Sequence, residues 1–354
     1  MGKHGRDINF KPTVNDIARV AGVSLATVDR VINHRPGVRN VTIERVHKAI
    51  KELGYVRDTA AANLARGRVY NFHFLLPESN NEFVAMLEQQ ISELSDVMAF
   101  ERTKLSFERV PAFDPQAMAR IISKMVPQDV DGVAIFGPET PSVRDAIDQI
   151  KKHGVAVVAL VSDLPSSERD HFVGIDNIAA GRTAGQLMGH FLAGGRKKVL
   201  VVTGSMLARD HLERRLGFDQ VMTESFADVD VLPSLEGRDD PKLLERLLPD
   251  AFATTPDIAG VYSSAAGNAG LINFLQRNGL DDKVIVVGHE LTSLSREALA
   301  QGTFDAIISQ DTGHLIRSTV RVLRAKSDRL PINISQERIR IDVYLKENMP
   351  PLCG

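Results

Sequence analysis

The sequence predicts two fold classes in one chain: a small all-α helix-turn-helix headpiece, then an α/β core of two doubly wound parallel-sheet lobes. Three observations carry that prediction. Charge is divided unevenly. The 354 residues include 43 Lys or Arg and 45 Asp or Glu, a net charge of −2. Residues 1–68 hold 13 basic and 6 acidic residues, a net of +7, which leaves −9 on the remainder. A basic head on an acidic body points to a polyanion-binding module joined to something that is not one. Next, the head reads as three short apolar repeats of helical period, punctuated by glycine. Finally, the residues beyond 68 alternate Val/Ile-rich blocks with amphipathic stretches, as parallel strands crossed by helices do.

The totals set outer bounds. The length suits two or three domains with a sizeable core. Hydrophobic residues are 43% and charged residues 25%, ordinary for a globular protein. The one cysteine, Cys353, can form neither an internal disulfide nor a thiolate cluster, which fits a reducing compartment. The opening MGKHGRDINF is charged and does not read as a signal peptide. No run of about 18 apolar residues exists to span a bilayer. The expectation is a cytoplasmic protein with no membrane partner.

The head is taken first. Thr13 can cap a helix whose first turn carries Asp16, an acid at the positive end of the helix dipole. Val14, Ile17, Ala18 and Ala21 recur at helical spacing, and Gly22 can end that helix in a left-handed conformation. Ser24 caps a second helix, LATVDRVIN. Two short helices about a tight glycine turn form a helix-turn-helix pattern. A third repeat follows Thr42, with Ile43, Val46, Ile50 and Leu53 before Gly54.

From Thr13 to Tyr55, the string TVNDIARVAGVSLATVDRVIN…GVRNVTIERVHKAIKELGY resembles the DNA-binding headpiece of the lactose-repressor (LacI/GalR) family of transcription regulators. The resemblance makes the second helix the recognition helix. It puts Leu25 and Ala26 at the variable base-reading positions and Arg30 at the base-contacting arginine. Thr13, Ser24, Asn33 and Thr42 match phosphate-contacting positions. Leu25 and Ala26 can touch a thymine methyl, whereas Arg30 can pair bidentately with guanine. Asp29 departs from the family's usual serine. Three roles are open to it: orienting Arg30, Arg35 or Arg39, accepting from a cytosine amino group, or repelling a phosphate. The first is favoured.

Residues 56–68, VRDTAAANLARGR, are alanine-rich and include a helix-breaking glycine. The resemblance makes this segment a hinge helix that folds when two chains sit side by side on DNA. Leu64 matches the leucine that wedges into the minor groove, and Ala61 a small residue at the hinge contact. Arg57-Asp58 replaces the usual Pro-Asn before it.

Nine strand-like runs follow: VYNFHFLLP, KLSFERV, GVAIFG, VAVVALVSD, HFVGID, KKVLVVTG, GVYSSA, KVIVVGHE and DAIISQD. About 285 residues exceed one doubly wound sheet, so two lobes are expected. Ligands in such sheets sit beyond the carboxyl ends of the strands, and those ends here are polar. The body resembles the periplasmic sugar-binding-protein fold that LacI-type regulators carry as an effector sensor, closest to the ribose-type binders. DHLERRLGF matches the family's R-x-x-G-F/W segment, which makes Arg214 the effector-binding arginine. GHE puts Glu290 where an aspartate usually binds sugar hydroxyls. Phe83 matches an aromatic stacked on the ligand. Ser264 falls near a position often held by Asn or Asp, with Asn268 as its replacement. Asp163 and Gln310 lie at the lobe crossovers. The residue types agree with that implication: carboxylates and arginine bind polyol hydroxyls, and an aromatic covers the apolar ring face.

The domains expected are residues 1–55 (headpiece), 56–68 (hinge) and 69–354 (effector-binding and dimerisation core). Lobe 1 is placed at about 69–175 and 305–337, lobe 2 at about 176–304 and 338–354. No dinucleotide, P-loop, zincin or G-x-S-x-G motif is present, so neither an enzyme nor a bound cofactor or metal is expected. A transport binding protein would need an export signal and no basic head. The resemblance implies a homodimer that reads a pseudo-palindromic DNA operator and responds to a small sugar or polyol. Within it, induction and corepression both remain open.

Overall fold

Helix α1 (Val14–Ala21) begins where the sequence supplies a cap. The Asp16 amide donates to the Thr13 hydroxyl, and the Asp16 carboxylate takes the Thr13 amide in return. Gly22 closes the helix at φ 62°, and helix α2 (Leu25–Ile32) follows directly. Helix α3 (Asn40–Leu53) starts earlier than expected, so Thr42 lies inside its first turn rather than before it. A computed structural model describes residues 12–32, 35–55, 67–79, 81–192 and 197–351. The chain divides into two units, residues 1–68 and 69–354. The headpiece core consists of Ile17, Ala21, Val28, Val31, Val46 and Ala49, all buried. Arg45 of α3 donates to the carbonyls of Ala21 and Gly22, so a cation sits on the negative end of α1.

The second unit holds two sheets. The first contains β1 (Tyr70–Glu78), β2 (Thr103–Pro111), β3 (Gly132–Ile135), β4 (Ala156–Leu160) and β5 (His171–Val173) in the order β2-β1-β3-β4-β5. All its pairings are parallel. Every residue of β3 and β4 is buried, as strands covered on both faces require. The crossovers are helices α4 (Glu82–Phe100), α5 (Pro115–Lys124) and α6 (Pro141–Lys152). Asn81 and Asp114 cap the first two of these with their side chains.

The second sheet repeats the plan. Its strands are β6 (Lys197–Thr203), β7 (Val229–Glu236), β8 (Ile258–Ser263), β9 (Ile285–His289), β10 (Ala306–Ser309) and β11 (Asp342–Tyr344), ordered β11-β10-β9-β8-β6-β7. Only β11 runs antiparallel. Helices α7 (Asn177–Phe191), α8 (Arg209–Ser225), α9 (Pro241–Thr254), α10 (Asn268–Arg277) and α11 (Ser293–Gln301) cross between them. α7 and α8 pack unusually close. A Cβ on Gly217 would come 2.1 Å from the Ile178 carbonyl oxygen, and one on Gly181 1.9 Å from that of Arg214. Only glycine permits that approach, and it seats the Arg214 backbone against α7.

Two expectations are corrected. Residues 305–337 were assigned to lobe 1, but β10 pairs in parallel with β9 and belongs to the second sheet. Its buried Ile307 fills that lobe's core. The return begins one element later, with helix α12 (Thr312–Ser327), whose contacts are with α4, β1, β3, β4 and β5. Strands β7 and β11 were not foreseen. Both are sheet edges, where polar residues, a proline or mere shortness hide the apolar pattern.

Candidate functional site

The headpiece presents one face of α2. Val28 and Val31 are buried, which turns Ala26, Asp29 and Arg30 to solvent, and Leu25 is 49% exposed. The Thr27 amide donates to the Ser24 hydroxyl at 3.2 Å, so that serine caps the helix it precedes. Thr13 is exposed at the start of α1 and Thr42 is half-buried in α3. Asp29 accepts from Arg35 Nη1 at 3.0 Å. Of the three roles open to it, this geometry matches orientation of a neighbouring arginine. Asn33, Ala61 and Leu64 lie outside the described residues.

The core's site lies beyond the carboxyl ends of both sheets, at the place the doubly wound plan provides. It is a narrow cleft with a cavity volume of about 90 Å³. Arg214 projects from α8 and is 3% exposed. Its Nε donates to Asn177 Oδ1 at 2.9 Å, its Nη1 to the Ser264 carbonyl at 2.9 Å, and its Nη2 to Glu290 Oε1 at 3.4 Å. Gln310 Nε2 donates to the same Glu290 oxygen at 2.9 Å. Glu290 follows β9 with φ 64°, and Val161, also lining the cleft, has the same φ. Such backbone costs energy for residues with a Cβ, most of all for valine, and concentrates where a site must be held.

Electrostatics follow from burial. Desolvation raises the Glu290 carboxyl above its ordinary value even though Arg214 opposes it. Burial likewise raises Asp239, with His211 and the Ala266 amide opposing. Burial alone would raise Asp210, but His211, Arg214 and the Ser162 hydroxyl together hold it below the usual carboxylate value. His289 is pushed well down by burial and by Arg214, so it stands neutral, joined to the Tyr262 hydroxyl at 2.9 Å. Several buried atoms lack hydrogen-bond partners: Glu290 Oε2, Asp210 Oδ1, Gln310 Oε1 and His289 Nδ1. A buried polar atom left unpaired is costly, and a ligand is one way to satisfy it.

The expected effector residues divide three ways. Phe83, Arg214, Asn268 and Glu290 line the cleft. Ser264 and Gln310 stand behind it, as partners of Arg214 and Glu290. Asp163 does not join them. It is held by both Arg169 Nε and Nη2, and it lines a separate, more open pocket near His171 and Glu337. Sequence reasoning passed over the cation six residues away that claims it. It also missed Asp210, His211, Asp239 and His289, all in the cleft. Asp210 carried a signal, since it precedes Arg214 by one helical turn and shares its face. Among the described residues, no group of three or more His, Cys, Asp or Glu could hold a metal ion.

A capped helix-turn-helix with an exposed arginine, on the same chain as a two-lobed core with a buried polar cleft, is the organisation of a DNA-binding transcription regulator. Family models match both parts. Residues 13–58 match bacterial regulatory proteins of the lacI family, and residues 72–329 match the periplasmic binding protein domain. The chain belongs, over most of its length, to the periplasmic binding protein domain family, and its head is a DNA-binding region of the lacI family of bacterial regulatory proteins. The HTH-type transcriptional regulator DegA of Bacillus subtilis is 27% identical over 298 residues, 82% of this chain and 84% of that protein. Catabolite control protein A of Priestia megaterium is 26% identical over 290 residues, 80% and 83% of the two chains. Among solved structures, GanP, a glucose-galactose binding protein from Geobacillus stearothermophilus, matches with a TM-score of 0.72 and 20% identity. It covers 80% of this chain and 100% of its own.

Proposed function

We propose that this regulator represses genes for carbohydrate or polyol uptake and catabolism. It leaves its operator when a small sugar-like effector enters the cleft. The carrying observation is the buried, partly unsatisfied set around Arg214 and Glu290, with Phe83 across the same cleft. Hydroxyl groups can donate to Glu290 Oε2 and Asp210 Oδ1, and Phe83 offers a ring face to carbon. Relatives named for transcriptional and catabolite control, and a fold neighbour named for binding glucose and galactose, support the same reading.

In this proposal the working form is a cytoplasmic homodimer on a pseudo-palindromic operator, with no catalytic activity. Val97 and Phe100 on α4 are 57% and 93% exposed, which favours cover by a second copy. No helix among the described residues is long and apolar enough to cross a membrane. Effector and DNA act on each other only through unequal affinity for two arrangements of the chain. Selection from a random DNA pool with the full-length protein tests the first half of the proposal. A pseudo-palindromic consensus is expected. Thermal unfolding against free sugars and polyols tests the second. Ligand at about 100 times its Kd stabilises by about 2.7 kcal/mol, a shift of a few degrees. Arg214→Ala should abolish that shift.

A further inference from the structure

The two walls of the cleft differ in kind. From the first sheet's side come Phe83, Val84, Phe113, Met118 and Phe136 with the polar but uncharged Ser79, Asn81 and Ser162, and no lining residue on that side is charged among those described. From the second sheet come Asp210, His211, Arg214, Asp239, His289 and Glu290. The single guanidinium is already committed to Asn177, Ser264 and Glu290. The orphaned atoms on that wall are two carboxylate oxygens and the Nδ1 of His289, backed by the amide oxygen of Gln310, and the three oxygens are acceptors. Asp210 is 3% exposed, Gln310 3% and Glu290 8%, so bulk water does not serve them.

Resting on the effector reading above, we propose that the effector is an uncharged, two-faced glycoside and not a bare sugar. Its hydroxyl-rich ring donates to Asp210 and Glu290, and an apolar substituent fills the aromatic wall formed by Phe113 and Phe136. Anionic sugars are excluded. A phosphate or carboxylate would meet three acidic side chains and a guanidinium with its hydrogen bonds already assigned.

The test uses the full-length protein and titration calorimetry, after a thermal-unfolding screen. Probes are D-glucose, D-galactose, D-xylose and L-arabinose, the two phenyl glycosides of each, and a phosphate ester of each. For the sugar that binds, a phenyl glycoside should bind roughly tenfold tighter or more, as burial of an aromatic ring implies. The phosphate ester should not bind. Phe136→Ala should remove the advantage of the phenyl group and keep the affinity for the parent sugar. Phe113→Ala serves the same purpose should the first variant unfold at a lower temperature. A parent sugar that binds as tightly as its glycosides, or a phosphate ester that binds tightest, overturns the inference while the effector reading stands. No shift from any probe overturns the carbohydrate reading, and this inference with it.

Discussion

The headpiece and the core hold their candidate functional side chains in opposite ways. Leu25, Ala26 and Arg30 face solvent on a helix whose supporting core has six buried residues among those described. Arg214, Glu290 and Gln310 are each less than a tenth exposed and hydrogen-bonded to one another or to neighbours. The difference follows from the partner. DNA is wide and brings its own charge, so the reader needs exposed donors and a firm register, not a cavity. A small effector has little surface, so its site must surround it and be arranged in advance. Mutation should therefore damage the two regions differently: binding alone in the first, folding and binding together in the second.

The largest effect expected is at Arg214. Its removal leaves Glu290 and Asn177 without their cation, and breaking a buried pair costs about 3–5 kcal/mol. Arg214→Ala should lower the unfolding midpoint of the core and abolish any ligand-induced shift, with the DNA consensus unchanged. Arg30→Ala should do the reverse. It should weaken binding to the selected DNA by about 1–3 kcal/mol and relax one base position, with no change in thermal unfolding. Equal losses of stability in both variants would break the contrast.

A gentler change sharpens it. The Glu290 carboxyl is raised by burial above its ordinary value of 4.5. A raised acid gives its full stabilisation below the unfolded-chain value and loses it as pH rises through the folded value. Relative to Glu290→Gln, the wild type should therefore lose stability as pH rises from about 4 towards neutral, read by unfolding midpoints across that range. A difference that grows in the wild type's favour instead would mean that the Arg214 charge outweighs burial. The smallest effect belongs to Asp29. Its pair with Arg35 leaves the two side chains 48% and 56% exposed, and such pairs contribute about 0.2–1 kcal/mol. Asp29→Ser should keep the fold and bind DNA at least as tightly but less selectively. Selection with the variant checks this, and a narrower consensus would contradict it.

The same contrast governs what could be read in the sequence. The headpiece is made of local signals. Thr13 caps with a residue three positions on, Gly22 ends the helix beside it, and the core positions recur within a turn or two. The cleft is not local. Arg214 meets Asn177 across 37 positions and Glu290 across 76, contacts no periodicity reveals. Arg214 and Glu290 were singled out by resemblance and Asn177 was not, and local competition separates another residue the resemblance singled out from the cleft. Asp163 carries the right chemistry, but Arg169 takes it. Asp239 was invisible because it follows β7, an edge strand whose polar, proline-containing sequence gave no strand signal. The second sheet's claim on β10 was hidden for a related reason. A buried Val/Ile block shows that a strand exists but not which sheet it joins.

The central claim is that occupancy of the cleft changes how the chain binds DNA. Fluorescence anisotropy of a labelled duplex chosen by the full-length protein, titrated with each sugar or phenyl glycoside that raises its unfolding midpoint, tests this directly. The account predicts that the bound compound lowers DNA affinity by about five- to 150-fold, and that DNA lowers affinity for the compound by the same factor, as linkage requires. Arg214→Ala should still bind DNA and ignore the compound. Tight binding of the compound with DNA affinity unchanged would contradict the account.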